Sequence, residues 1–166
     1  EKIIKGAILQ APVSDRDNRL ASNPSTAEDI ALARTIAETD PLELMPRWAD
    51  DAPITAQRFL SLYAPDEDAA DDFFSSDLSA QQLQKRLGHM KVPTLCLFSE
   101  SDEYVPIEIR ASYQDLANRI CEAIPGAISG GIPPVILSGA THNCGGREEL
   151  VVQQVERFLG MESISS

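Results

Sequence analysis

Residues Leu95 to Pro106, LCLFSESDEYVP, join an apolar run to a loop that carries an acid. Val92, Leu95, Cys96, Leu97 and Phe98, bounded by Pro93, have the pattern of a strand covered on both faces, as in a parallel sheet. Ser99, Glu100, Ser101, Asp102 and Glu103 follow, and Val105-Pro106 stops the loop. Loops at the carboxyl ends of parallel strands collect the chemistry of α/β folds, because the strand ends are rigid and the loops are free to vary. Asp102 is therefore the first candidate functional residue.

The same grammar repeats downstream. Pro133-Pro134 precede Val135-Ile136-Leu137, and the chain turns through Ser138-Gly139-Ala140-Thr141 into His142. An acid after one strand and a histidine after the next match the last two members of the Ser, Asp, His order of an α/β-hydrolase. Upstream, Ile3, Ile4, Ala7, Ile8 and Leu9 surround Gly6 and read as a first buried strand, followed by a loop over Val13-Ser14-Asp15-Arg16-Asp17. Asp15 is a rival acid, although a turn-capping or arginine-pairing side chain is the favoured reading there.

Composition limits the partners. A chain of 166 residues, 43% hydrophobic and 5% aromatic, is the size of one ordinary domain and can bury a core. A formal net charge of -12 argues against nucleic acid and anionic membrane surfaces, which select clustered Lys and Arg. No run of ~18 apolar residues is present to span a bilayer. Cys96, Cys121 and Cys144 have no metal-ligand spacing, and no cofactor motif is found. Their odd number suits a reducing compartment, so a cytoplasmic location is expected. The sequence begins at Glu1 and enters a strand pattern by Ile3, the expectation for a cut through a domain.

Between the first two strands the pattern is helical. Ser25-Thr-Ala-Glu28 has the spacing of a capping box opening a helix through Ile30, Ala33 and Ile36, ended by Asp40-Pro41. Pro53 to Tyr63 reads as a second helix, and Ser79 caps a third through Leu83 and Leu87, closed by Gly88. Trp48, the only tryptophan, is a candidate pocket cover or a packing residue. Asp66, Glu67, Asp68, Asp71, Asp72 and Asp77 surround Phe73-Phe74 without calcium-loop spacing and read as a solvated loop. His89 reads as a loop histidine. After the Asp102 loop, apolar residues from Ile107 to Ile124 recur at helical spacing as one crossover helix, with a small-residue loop over 126–131. Arg147 to Leu159 forms a last helix with a stripe of Val151, Val155, Phe158 and Leu159.

Gly6-Ala-Ile-Leu-Gln-Ala-Pro-Val-Ser-Asp-Arg16, Arg58-Phe-Leu-Ser-Leu-Tyr-Ala-Pro65, Ser101-Asp-Glu-Tyr-Val-Pro106 and Gly139-Ala-Thr-His-Asn143 together resemble a largely fungal family of α/β-hydrolases that includes a siderophore esterase acting on fusarinine C. The resemblance covers nearly the whole chain. It implies the carboxyl-terminal part of an α/β-hydrolase fold, with parallel strands and a helical lid insertion. Residues 1–23 and 91–160 would form the core, 24–90 the lid and 161–166 a tail. It also implies Asp102 as triad acid and His142 as base.

No serine sits in G-x-S-x-G. Gly126-Ala-Ile-Ser129-Gly-Gly131 has the wrong spacing and lacks a preceding strand, and Cys144, two residues after His142, has no elbow pattern. The nucleophile is expected upstream of this chain, in the other half of the fold. Two functions compete: part of a serine esterase for a small-molecule ester, inactive without that half, or a truncated, non-catalytic homologue serving as a binding module. An acidic lid edge at Asp66 to Asp77 would favour a cationic ester.

Overall fold

The computed structural model describes residues 4–65, 70–129, 131 and 133–160. Two compact units divide the chain: Glu1–Val13 with Ser76–Ser166, and Ser14–Ser75. The boundaries differ from the expected 24–90 insertion. The helical unit gains α1 (Asp15–Ser22) and gives up α4 (Ala80–Leu87) to the sheet-bearing unit.

The sheet-bearing unit holds three parallel strands in the order β1 (Ala7–Gln10), β2 (Thr94–Ser99), β3 (Val135–Leu137). Ile8 pairs with Leu95 and Phe98 with Ile136. Every residue of β2 is buried, as its continuous apolar run requires of a central parallel strand. Leu95, Leu97, Leu137, Ala140 and Cys144 form one core, against which Leu150, Val151, Val155 and Phe158 of α8 (Glu148–Phe158) pack. Leu159, expected in that stripe, lies past the helix end and is exposed; Leu150 takes the place.

β1 departs from the buried strand its sequence implies. Among the described residues it pairs only through the β2 side, and Ile8 is 43% exposed while Ala7 and Leu9 are partly covered. An edge strand with one neighbour leaves apolar side chains in water. Beyond β2, the single crossover helix expected over Ile107 to Ile124 is two, α5 (Ile107–Arg110) and α6 (Tyr113–Glu122), and α7 (Pro125–Ser129) follows them. α7 replaces part of the expected small-residue loop. Gly126 permits it, since a Cβ there would sit 1.7 Å from the Val92 carbonyl oxygen, while its N–H donates to the Met90 carbonyl at 2.9 Å.

The Ser14–Ser75 unit is helical. The loop expected after β1 is helix α1, capped by Ser14, whose hydroxyl accepts from the Asp17 N–H. α2 (Thr26–Thr39) starts where expected, but Ser25 makes no side-chain cap. Asn23 intervenes: its Oδ1 takes the Ser25 N–H and its carbonyl the Thr26 hydroxyl, at 2.9 and 2.6 Å. α3 (Ala56–Tyr63) is capped by Thr55 and starts three residues after Pro53. Its Phe59 and Leu60 pack with Ile30, Ala33 and Met45. Arg19 lies 4.7 Å from the Phe59 and Tyr63 ring centroids and pairs with Asp29 at 2.7 Å. Trp48 is 67% exposed, so it serves as neither packing nor cover within its unit.

The acidic stretch is not a plain solvated loop. Asp72 is buried and pairs with buried Arg16 at 2.8 Å, and Asp71 pairs with Arg58. Asp66, Glu67 and Asp68 lie outside the described residues, as do residues 161–166. No described helix is long and apolar enough to cross a membrane.

Candidate active site

β2 ends at Ser99, and the chain folds at once into a turn, with Asp102 N–H on the Ser99 carbonyl (3.3 Å) and Val105 N–H on the Asp102 carbonyl (3.2 Å). Arg110 braces the turn from α5, donating Nη2–H to the Asp102 carbonyl at 2.7 Å and Nε–H to the Val105 carbonyl at 3.1 Å. Asp102 is fully buried. Its Oδ1 accepts the Tyr104 N–H at 3.0 Å, and its Oδ2 lies 3.0 Å from His142 Nδ1. A buried carboxyl is tolerated only with its lone pairs satisfied, and both oxygens are.

β3 delivers His142 through a turn in which Gly139 takes a φ of +66°, a conformation most side chains resist. The strand-end loops are laced together. Ser101 N–H donates to the Ala140 carbonyl at 2.9 Å; Glu100 Oε2 accepts the Ser138 hydroxyl and Gly139 N–H at 2.8 Å each. Glu103 Oε2 accepts the His142 N–H at 2.9 Å. These amide and hydroxyl donors hold the carboxyls of Glu100 and Glu103 below the usual glutamate range, the His142 N–H being the leading cause at Glu103. The Tyr104 ring meets the imidazole edge to face at 4.9 Å. Beneath, burial and then the charge of Asp102 push the Tyr113 phenol up.

The structure thus brings Asp102 and His142 together. A carboxylate only accepts, so a neutral imidazole bonded through Nδ1 keeps its proton there and turns a basic Nε2 outward. The His142 side chain is 37% exposed, and its Nε2 has no hydrogen-bond partner among the described residues. The other candidates go elsewhere. Asp15 lies exposed in the first turn of α1, in the helical unit. His89 is exposed just past α4. Cys144 is a core residue, 3% exposed, with Sγ 3.6 Å from Ser99 Oγ. Ser129 closes α7, and its side chain is outside the described ones. Glu103, Tyr104 and Arg110 were not separable by sequence reading from ordinary loop and helix polar residues; the one signal was the adjacency of Glu103 to the candidate acid.

Parallel strands with an acid and a histidine on consecutive carboxyl-end loops define an α/β fold with the acid-base arrangement of hydrolases. The chain belongs to the family described as "Protein of unknown function (DUF1749)", whose model matches residues 1–160. It is 35% identical over 156 residues to the UPF0613 protein PB24D3.06c of Schizosaccharomyces pombe, covering 83% of this chain and 48% of that protein. It is 32% identical over 143 residues to the fusarinine C esterase sidJ of Aspergillus fumigatus, covering 62% and 38%. The siderophore hydrolase EstB of Aspergillus fumigatus superposes with a TM-score of 0.61 at 28% identity, over 95% of this chain and 58% of its own. The relatives it matches are fungal proteins, one named a fusarinine C esterase and another a siderophore hydrolase. This chain spans half or less of the length of the curated relatives it matches.

Proposed function

We propose that Asp102 and His142 are the acid and base of a Ser-His-Asp esterase whose serine comes from a segment outside this sequence. The observation that carries the reading is the buried Asp102 carboxylate on His142 Nδ1, with Nε2 left open. In this reading Nε2 takes the serine proton as the oxygen attacks the ester carbonyl, then returns it to the leaving alkoxide, releasing an alcohol and leaving an acyl-enzyme. Water repeats the cycle: its proton passes to Nε2, its oxygen attacks the acyl carbon, and the proton returns to serine as the acid departs. Asp102 holds the tautomer and stabilises the imidazolium.

The names of the two Aspergillus relatives support a hydroxamate siderophore ester as substrate, of the fusarinine type. The acidic stretch lends this less support than its sequence implies, because Asp71 and Asp72 already hold arginine partners. The reading casts the chain as the carboxyl-terminal half of the hydrolase fold, β1 pairing its free edge with a strand of the upstream half. The helical Ser14–Ser75 unit, which leaves the chain just beyond the carboxyl end of β1, then takes the role of lid. A cytoplasmic location fits the three free cysteines, and the net charge of -12 disfavours nucleic acid and membrane surfaces as partners. The test is turnover of a fusarinine-type ester by the full-length protein and its His142→Ala variant. Loss of hydrolysis in the variant is expected; hydrolysis at the parent rate overturns the assignment.

A further inference from the structure

We infer that Glu103 is a positioning residue for His142, its carboxylate gripping the histidine's backbone N–H while its chain neighbour Asp102 grips the ring. The inference rests on the reading of His142 as the base. Two consecutive acids bracket one residue: Glu103 Oε2 to His142 N at 2.9 Å and Asp102 Oδ2 to His142 Nδ1 at 3.0 Å. A ring bond alone leaves the residue free to move with its loop, and the imidazole is 37% exposed, with the Tyr104 edge as its other ring neighbour. Fixing the amide to the same turn that carries the acid removes that freedom.

The bond is charge-assisted and thus stronger than a neutral one. The depressed Glu103 carboxyl, with the His142 N–H as its main cause, is the reciprocal sign of that grip. Glu103 is exposed, so no burial requirement explains its contact. Glu100 provides the comparison, because it laces the same loop at Ser138 and Gly139 without touching His142. A displaced base matters because a misplacement of ~1 Å can cost about 100-fold in rate.

The experiment is NMR on the full-length protein with Glu103→Ala, Glu103→Gln and Glu100→Ala, reading His142 amide exchange and the low-field Nδ1 proton. Glu103→Ala is expected to speed His142 amide exchange about tenfold, the weight of one net hydrogen bond, and to broaden the Nδ1 resonance. Glu103→Gln, which keeps a carbonyl acceptor, restores both; Glu100→Ala moves the Ser138 and Gly139 amides and spares the Nδ1 proton. Unchanged His142 signals in Glu103→Ala, or equal disturbance by Glu100→Ala, overturns the inference. If Glu103→Ala does not fold, the His142 amide shift of the parent protein must follow the titration of Glu103, and an amide indifferent to it overturns the inference equally. In the full-length protein, Glu103→Ala should lower kcat ~10- to 100-fold at unchanged KM. A full-length protein without esterase activity, whose His142 nevertheless responds to Glu103 as described, would fail the hydrolase reading and leave the positioning intact.

Discussion

His142 is fixed at its ring by Asp102 and at its backbone by Glu103, while its Nε2 meets nothing among the described residues. That asymmetry is what a general base needs: one nitrogen committed, the other open. Asp102→Asn keeps the shape and replaces an acceptor by a group that can donate, so the wrong tautomer follows. A loss in kcat of about four orders of magnitude is expected in the full-length protein by analogy with other triads, measured as ester turnover. A loss below tenfold would mean that Asp102 does not orient the base. The Glu103 clip has its own pH window. Its carboxyl is depressed in the fold, so the contact is complete above the ordinary glutamate value of about 4.3 and is lost as pH falls through the lower folded value. A pH series of the His142 amide should show a midpoint below ~4.3; a midpoint at or above it would contradict the bond.

At the scale of elements, the strands on either side of the site were legible because their sequence signals are local and redundant. Apolar runs preceded by prolines, with an acid or a histidine just beyond, located β2 and β3 and the two residues that meet. Helix beginnings were less legible, because several residues compete for each orphan N–H. Ser25-Thr-Ala-Glu28 looks like a capping box, yet Asn23 supplies the bonds, whereas Ser79 and Gln82 form a complete one. Two substitutions separate these cases. Thr55→Ala removes the cap of α3 and should cost about 1 kcal/mol in denaturant unfolding. Ser25→Ala removes no cap bond and should stay within ~0.5 kcal/mol. Equal costs would contradict the described caps. The pairings of Asp72 with Arg16 and Asp71 with Arg58 were hidden for another reason: partners 56 and 13 residues apart leave no mark in a local charge pattern.

Over the whole molecule, the feature that sequence periodicity could not supply is the exposure of β1. Its apolar pattern fits a strand covered on both sides, but coverage depends on neighbours, and among the described residues β2 is the only one. An open edge with Ile8 in water invites strand addition. Ile8→Lys should raise the soluble, monomeric fraction of the isolated chain in size-exclusion chromatography; no change would argue that this edge does not drive association. The same edge is where the proposed upstream half would dock, which links solubility to the central claim, a serine activated by His142. The direct measurement is intact mass of the full-length protein after treatment with a fluorophosphonate, beside its His142→Ala variant. One adduct on the parent, at a serine outside Glu1 to Ser166, and its loss in the variant is the predicted result. No adduct on the parent, or the same adduct formed as fast without His142, would contradict it.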